Sequence, residues 1–151
     1  MSRLPRVFVV EDDELVRRRL SQVLREAGYA VVEADSGALL GRARAVSEGR
    51  ELPDLDLVVC DTFTLGAAGR AALKKLRRLD WVLPIVLLAP AMSHGFRSYA
   101  RELHAHGLSG YPVKPERVRT MVEQVIMVDQ APLRPAVPAL EPGSELFAAN
   151  G

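Results

Sequence analysis

Residues 57 to 66 read Leu57-Val58-Val59-Cys60-Asp61-Thr62-Phe63-Thr64-Leu65-Gly66. Four apolar residues run into one carboxylate, and the pattern then stops. A short continuous apolar run reads as a strand buried on both faces. Strands of that kind sit in parallel sheets with helices on each side. In open sheets of this type, ligands bind in the crevice beyond the carboxyl ends of the strands. Asp61 ends its strand where that crevice opens.

The alternation repeats on both sides of this stretch. Arg6 to Val10 and Tyr29 to Glu33 read as strands, and so do Leu55 to Cys60, Pro84 to Leu88 and Ser109 to Val113. Between them lie helix-like segments. Asp13 to Ala27 carries Leu15, Val16, Leu20, Val23 and Leu24 at helical spacing, with Gly28 as its stop. A second helix capped by Ser36 runs through Leu39, Leu40 and Ala45 to Gly49. Ala68 to Leu79 is a third, Phe96 to His106 (closed by Gly107) a fourth, and Glu116 to Val128 a fifth. Five such β-α units predict a doubly wound parallel sheet with right-handed crossovers. Beyond Asp129 the composition changes, because Pro132, Pro135, Pro138 and Pro142 break regular structure. Residues 1–128 are therefore expected to form one domain and 129–151 an extended or disordered tail, with no room for a DNA-binding output module.

The chain has 151 residues, 20 basic against 19 acidic, for a net charge of +1. That balance lacks the basic excess of a nucleic-acid binder. Cys60 is the only cysteine, so an intrachain disulfide is excluded, and inside an apolar run it reads as a small core residue. The first apolar stretch, Val7 to Val10, is too short for a signal-peptide core. Trp81 to Met92 spans twelve residues with two prolines, too short to cross a bilayer. A cytoplasmic location and no membrane partner are expected.

The strand ends collect charge. Glu11, Asp12 and Asp13 follow the first strand, Asp61 ends the third, and Lys114 with Pro115 ends the fifth. Singly, such residues cap helices or face solvent. Gathered at one sheet edge, carboxylates repel and raise one another's pKa. A hard cation or a lysine relieves that, and an oxygen-only donor set suits Mg²⁺. Phosphoryl transfer needs such charge neutralisation around an in-line nucleophile.

These segments also carry a family resemblance. V-V-E-D-D-E (residues 9–14), P-D-L-D-L-V-V-C-D (53–61) and G-L-S-G-Y-P-V-K-P (107–115) resemble the acidic, phosphoacceptor and lysine motifs of response-regulator receiver domains. Gly69 falls eight residues after Asp61, at the family's helix-start glycine. The likeness covers roughly residues 5 to 128, with about five extra residues before the third strand. It implies a flavodoxin-like, doubly wound five-stranded parallel sheet of order 2-1-3-4-5 with five helices. It implies that Asp61 accepts a phosphoryl group from a histidine kinase or histidine phosphotransfer protein. It further implies that Glu11, Asp12, Asp61 and the Phe63 carbonyl hold Mg²⁺ and that Lys114 contacts the phosphoryl group. Tyr111 matches the switch aromatic, and Pro115 the proline after a cis peptide bond. Helix 4, strand 5 and helix 5, with Arg97, Tyr99, Arg101, Arg117 and Arg119, match the face used for downstream protein partners or a homodimer.

The sequence also departs from the family. Ala89 stands where a Thr or Ser hydroxyl contacts the phosphoryl group, Pro90 follows it, Leu65 replaces a proline, and Glu116 replaces an apolar residue. These changes fall on the switch, not on the acids or the lysine, and they keep a phosphorylation-independent pseudo-receiver open as the alternative. An enzyme of the haloacid-dehalogenase-like class would need a second aspartate two residues after Asp61, where Phe63 stands. His104 and His106, two apart, lack the spacing of a metal pair on one helix face, and Arg17 to Arg19 read as a solvated face.

Overall fold

The computed structural model describes residues 3–50, 54–63, 65–80, 82–110, 112–129 and 145–148, the last four and residues 128 and 129 by backbone only. The elements run β1 (Arg6–Val10), α1 (Glu14–Glu26), β2 (Ala30–Ala34), α2 (Ser36–Ser47), β3 (Leu57–Asp61) and α3 (Gly66–Leu79). They continue with β4 (Ile85–Ala89), α4 (His94–Leu103), β5 (His106–Ser109), α5 (Pro115–Asp129) and β6 (Glu145–Ala148). The sheet order is β2-β1-β3-β4-β5-β6, and the first five strands are parallel. This is the doubly wound, flavodoxin-like arrangement expected from the sequence.

Every residue of β3 and β4 is buried. Their side chains alternate between two apolar layers. Val58, Cys60, Ile85 and Leu87 pack with α2, α3 and α4 residues such as Leu39, Leu73 and Leu103. Leu57, Val59, Val86 and Leu88 pack with Leu20 and Leu24 of α1 and Val118, Val122 and Val125 of α5. Burial on both faces is why these strands read as unbroken apolar runs.

Several boundaries differ from expectation. The fourth helix ends at Leu103, because His104 adopts a left-handed conformation (φ 52°) and its N–H bonds back to the last turn. His106 and Gly107 therefore belong to β5, paired with Val86 and Leu87, and the strand ends at Ser109 instead of reaching Val113. Gly110, at φ 136°, turns the chain away from the ladder, a conformation that favours glycine. At the other end, Ser93 accepts a bond from Phe96 N at 3.0 Å and starts α4 at His94. For α2 the cap is Asp35, whose carboxylate accepts from Ala38 N at 2.8 Å, and not Ser36.

The tail holds one further strand. β6 follows the last proline and pairs antiparallel with the outer edge of β5, from His106↔Ala148 to Ser109↔Glu145. A β5 edge would otherwise present unpaired N–H and C=O groups. Residues 130–144 lie outside the described set.

Candidate functional site

The carboxyl ends of β1 and β3 are adjacent, since Val10 pairs with Cys60. Glu11 and Asp61 follow directly, and both are buried, 1% and 7% exposed. On each strand the alternation runs through the α1–α5 layer (Val7 and Val9, Leu57 and Val59), so both acids start on that side of the sheet. Burial first, and then the neighbouring Asp61 carboxyl, push the Glu11 carboxyl up to about 8. Two acids this close and this dry oppose being charged together.

Each acid is also gripped by backbone. Glu11 Oε1 accepts from Asp13 N at 2.9 Å, and Asp61 Oδ1 accepts from Phe63 N at 2.9 Å. Thr62 ties the loop down through its N–H and hydroxyl, which donate to Leu88 O at 2.9 and 2.8 Å. Asp13 caps α1 by accepting from Val16 N at 3.1 Å. Glu11 Oε2, by contrast, is buried without a hydrogen-bond partner. An orphaned carboxylate oxygen beside a second acid is a donor set that suits a hard cation.

Asp12 is not in this pair. Its two oxygens accept from Ser36 N and Ser36 Oγ, both at 2.7 Å, which places the charge at the start of α2. Among the described residues no three His, Cys, Asp or Glu side chains gather as a metal site. Glu11 and Asp61 are the oxygen donors of this crevice that could hold a hard cation such as Mg²⁺ once deprotonated, and Asp12 could add to them only on leaving Ser36.

The remaining expected residues are spread around the crevice. Phe63 lies beside Asp61 with 69% of its surface exposed. Ala89, buried, ends β4; its carbonyl accepts from Gly110 N at 3.0 Å, and Ser109 is its register partner on β5. Lys114 does not end β5. It lies in the loop before α5, is exposed, and its ammonium pairs with neither Glu11 nor Asp61. Pro115 is the first residue of α5, where a missing N–H costs nothing. Tyr111 lies outside the described residues.

Several residues take roles at the site other than those read from sequence. Arg17, expected on a solvated face, donates to Glu11 O at 2.8 Å and stands 3.5 Å from Glu33. Ser36 holds Asp12. Arg117, expected on the outer partner face, turns inward against Gly110: a Cβ there would stand 2.9 Å from Arg117 Nη1. Leu65, where a proline was expected, is buried and packs on Gly69, whose added Cβ would meet Leu65 Cδ1 at 2.5 Å. Such long-range partnerships have no local sequence signal. The Cys60 thiol is fully buried and pushed well up by that burial, which makes it an inert core group.

Comparison with known proteins agrees with this geometry. The profile of the response regulator receiver domain matches residues 7–126, and the chain belongs to that family. Receiver domains are signalling switches of two-component systems, phosphorylated on an aspartate. Among curated proteins, the alkaline phosphatase synthesis transcriptional regulatory protein SphR of Synechococcus elongatus is 31% identical over 120 residues, 78% of this chain and 46% of that protein. The transcriptional regulatory protein PdtaR of Mycobacterium tuberculosis is 30% identical over 128 residues, 80% of this chain and 54% of its own. The chain thus spans about half the length of these relatives. Among solved structures, a CheY-like receiver domain protein from Methanospirillum hungatei superposes with a TM-score of 0.68 at 20% identity, covering 84% of this chain and 97% of that one. The chemotaxis response regulator CheY4 of Vibrio cholerae gives 0.64 at 22% identity, over 81% and 98%. No helix among the described residues is long and apolar enough to cross a membrane.

Proposed function

We propose that this receiver accepts a phosphoryl group on Asp61 from the phosphohistidine of a histidine kinase or phosphotransfer protein, with Mg²⁺ bound. What carries the reading is the buried Glu11–Asp61 pair with its orphaned Glu11 Oε2. An Asp61 oxygen attacks phosphorus, a P–O bond forms, and the P–N bond to the donor imidazole breaks, returning its electron pair to the donor. Phe63 N–H holds Oδ1, which leaves Oδ2 to react. Glu11, Asp12, Asp61 and the Phe63 carbonyl would hold the cation. When bound, Mg²⁺ neutralises the acid pair and the charge on the phosphoryl oxygens. Lys114 swings from the β5–α5 loop onto the phosphoryl group.

The protein then signals in the cytoplasm through protein–protein contacts on the α4–β5–α5 side, with a downstream partner or a second copy of itself. In this structure β6 covers the outer edge of β5 on that side. The pseudo-receiver reading draws on one observation: the buried methyl of Ala89 stands where a hydroxyl would report the phosphate.

Incubation with acetyl phosphate and Mg²⁺, followed by intact-mass analysis, tests the reading. One added phosphoryl group, absent in Asp61→Asn, is expected. Wild type that stays unmodified would overturn it.

A further inference from the structure

A small pocket lies at the carboxyl end of β4 and β5. Leu88, Ser109, Gly110, Val113, Lys114 and Arg117 line it, with Leu108 and Val118 at its base. Its two charged side chains are both cations, and no acid lines it. In Arg117 both Nε and Nη2 are buried without a hydrogen-bond partner. Those two N–H groups form one edge of the guanidinium, the fork that grips a carboxylate or phosphate through two parallel bonds. Nη1, at the other corner, packs over Gly110, where any side chain would intrude. A buried, empty fork is costly unless an anion completes it.

The register says which anion. Asp61 pairs with Leu88, and Leu88 with Leu108, so Asp61 and the Gly110 end of β5 are two strand spacings apart, about 10 Å. Leu57, Val59, Leu88 and Leu108 all pack in the α1–α5 layer, and Arg117 comes from the first turn of α5 on that same side. A phosphoryl group on Asp61 would extend toward the fork, with Leu88 between them as floor.

We propose that Arg117 is a second cation for the phosphoryl group on Asp61, binding two of its oxygens through Nε and Nη2. It supplies the donors that Ala89 lacks. Of the two cations lining this pocket, Arg117 is the one whose donors are buried and unpartnered, and Lys114 closes from outside. The inference rests on Asp61 being the acceptor, and its test separates the two.

Beryllofluoride with Mg²⁺ serves as the phosphoryl mimic. Wild type should bind it with a shift of the Arg117 Nε–H resonance in arginine-selective NMR. Arg117→Ala should weaken binding about tenfold, the worth of a charge-assisted pair, and Arg117→Lys should recover part of that loss. An unmoved Nε–H resonance in wild type that binds the mimic, or an Arg117→Ala variant that binds it as tightly, would overturn the role of Arg117 and leave the acceptor intact. Wild type that neither binds beryllofluoride nor takes phosphate from acetyl phosphate would overturn both. Should Arg117→Ala not fold, the wild-type resonance decides.

Discussion

Ser36 holds both oxygens of Asp12, through its backbone N–H and its hydroxyl, each at 2.7 Å. The second acid of the motif is thereby fastened to α2 instead of to the acid pair. A cation that recruits Asp12 must break these bonds. Ser36→Ala removes one of them, worth about 1 kcal/mol. The variant should bind Mg²⁺ about three- to tenfold more tightly, read by titration of the unphosphorylated protein, and lose about 1 kcal/mol of stability without the ion.

The Glu11–Asp61 pair makes ion-free stability depend on pH. The folded Glu11 carboxyl is raised to about 8 from an ordinary 4.5. Between those values the unfolded chain has lost a proton that the folded chain keeps, so stability falls as pH rises across that window. Denaturant midpoints measured with a chelator should decline from pH 5 to 8. Glu11→Gln should flatten the decline, and Mg²⁺ should offset it in wild type.

His106 acts in the opposite direction. It is largely buried in β5 with Nδ1 unpartnered, and burial, followed by the Arg77 charge, holds its pKa below the usual histidine value of 6.5. The unfolded chain therefore takes up a proton first as pH falls, and stability drops below pH 6.5. His106→Leu should remove that slope and raise the melting temperature at pH 5, by about 1 kcal/mol of relieved polar burial.

Leu65 and Gly69 are a matched pair. A Cβ on Gly69 would lie 2.5 and 2.6 Å from Leu65 Cδ1 and Cγ. Gly69→Ala should cost about 1–3 kcal/mol despite the better helix propensity of alanine. In a Leu65→Ala background the same change should be neutral or stabilising, and a double-mutant cycle in urea would give the coupling.

Parts of this molecule were legible residue by residue. Unbroken apolar runs such as Leu57 to Cys60 announced strands covered on both faces, and their terminal acids marked the crevice. A helix cap among the acids after the first strand, Asp13 or Glu14, was readable because a cap's partner is local, and it is Asp13 that accepts from Val16 N, three residues on. The α4–β5 boundary was not readable. His104 adopts a positive φ without being glycine, and Gly107, which looked like a helix stop, is a strand residue paired with Leu87. Nor could sequence distance show that Ser36 would hold Asp12, 24 positions earlier. Arg117 read as surface charge because basic residues on a terminal helix usually are. Only the Gly110 backbone, bare of a side chain, makes room for it inside.

The four residues of β6 have a practical bearing on handling the protein. They lie along the last parallel strand from His106 to Ser109, so β5 offers no bare hydrogen-bonding rim to other molecules. Chains shortened before Glu145 would expose that rim, and bare rims recruit neighbouring chains into intermolecular sheets. Such products should precipitate at concentrations that the full chain tolerates, although every residue proposed for the phosphoryl site is intact.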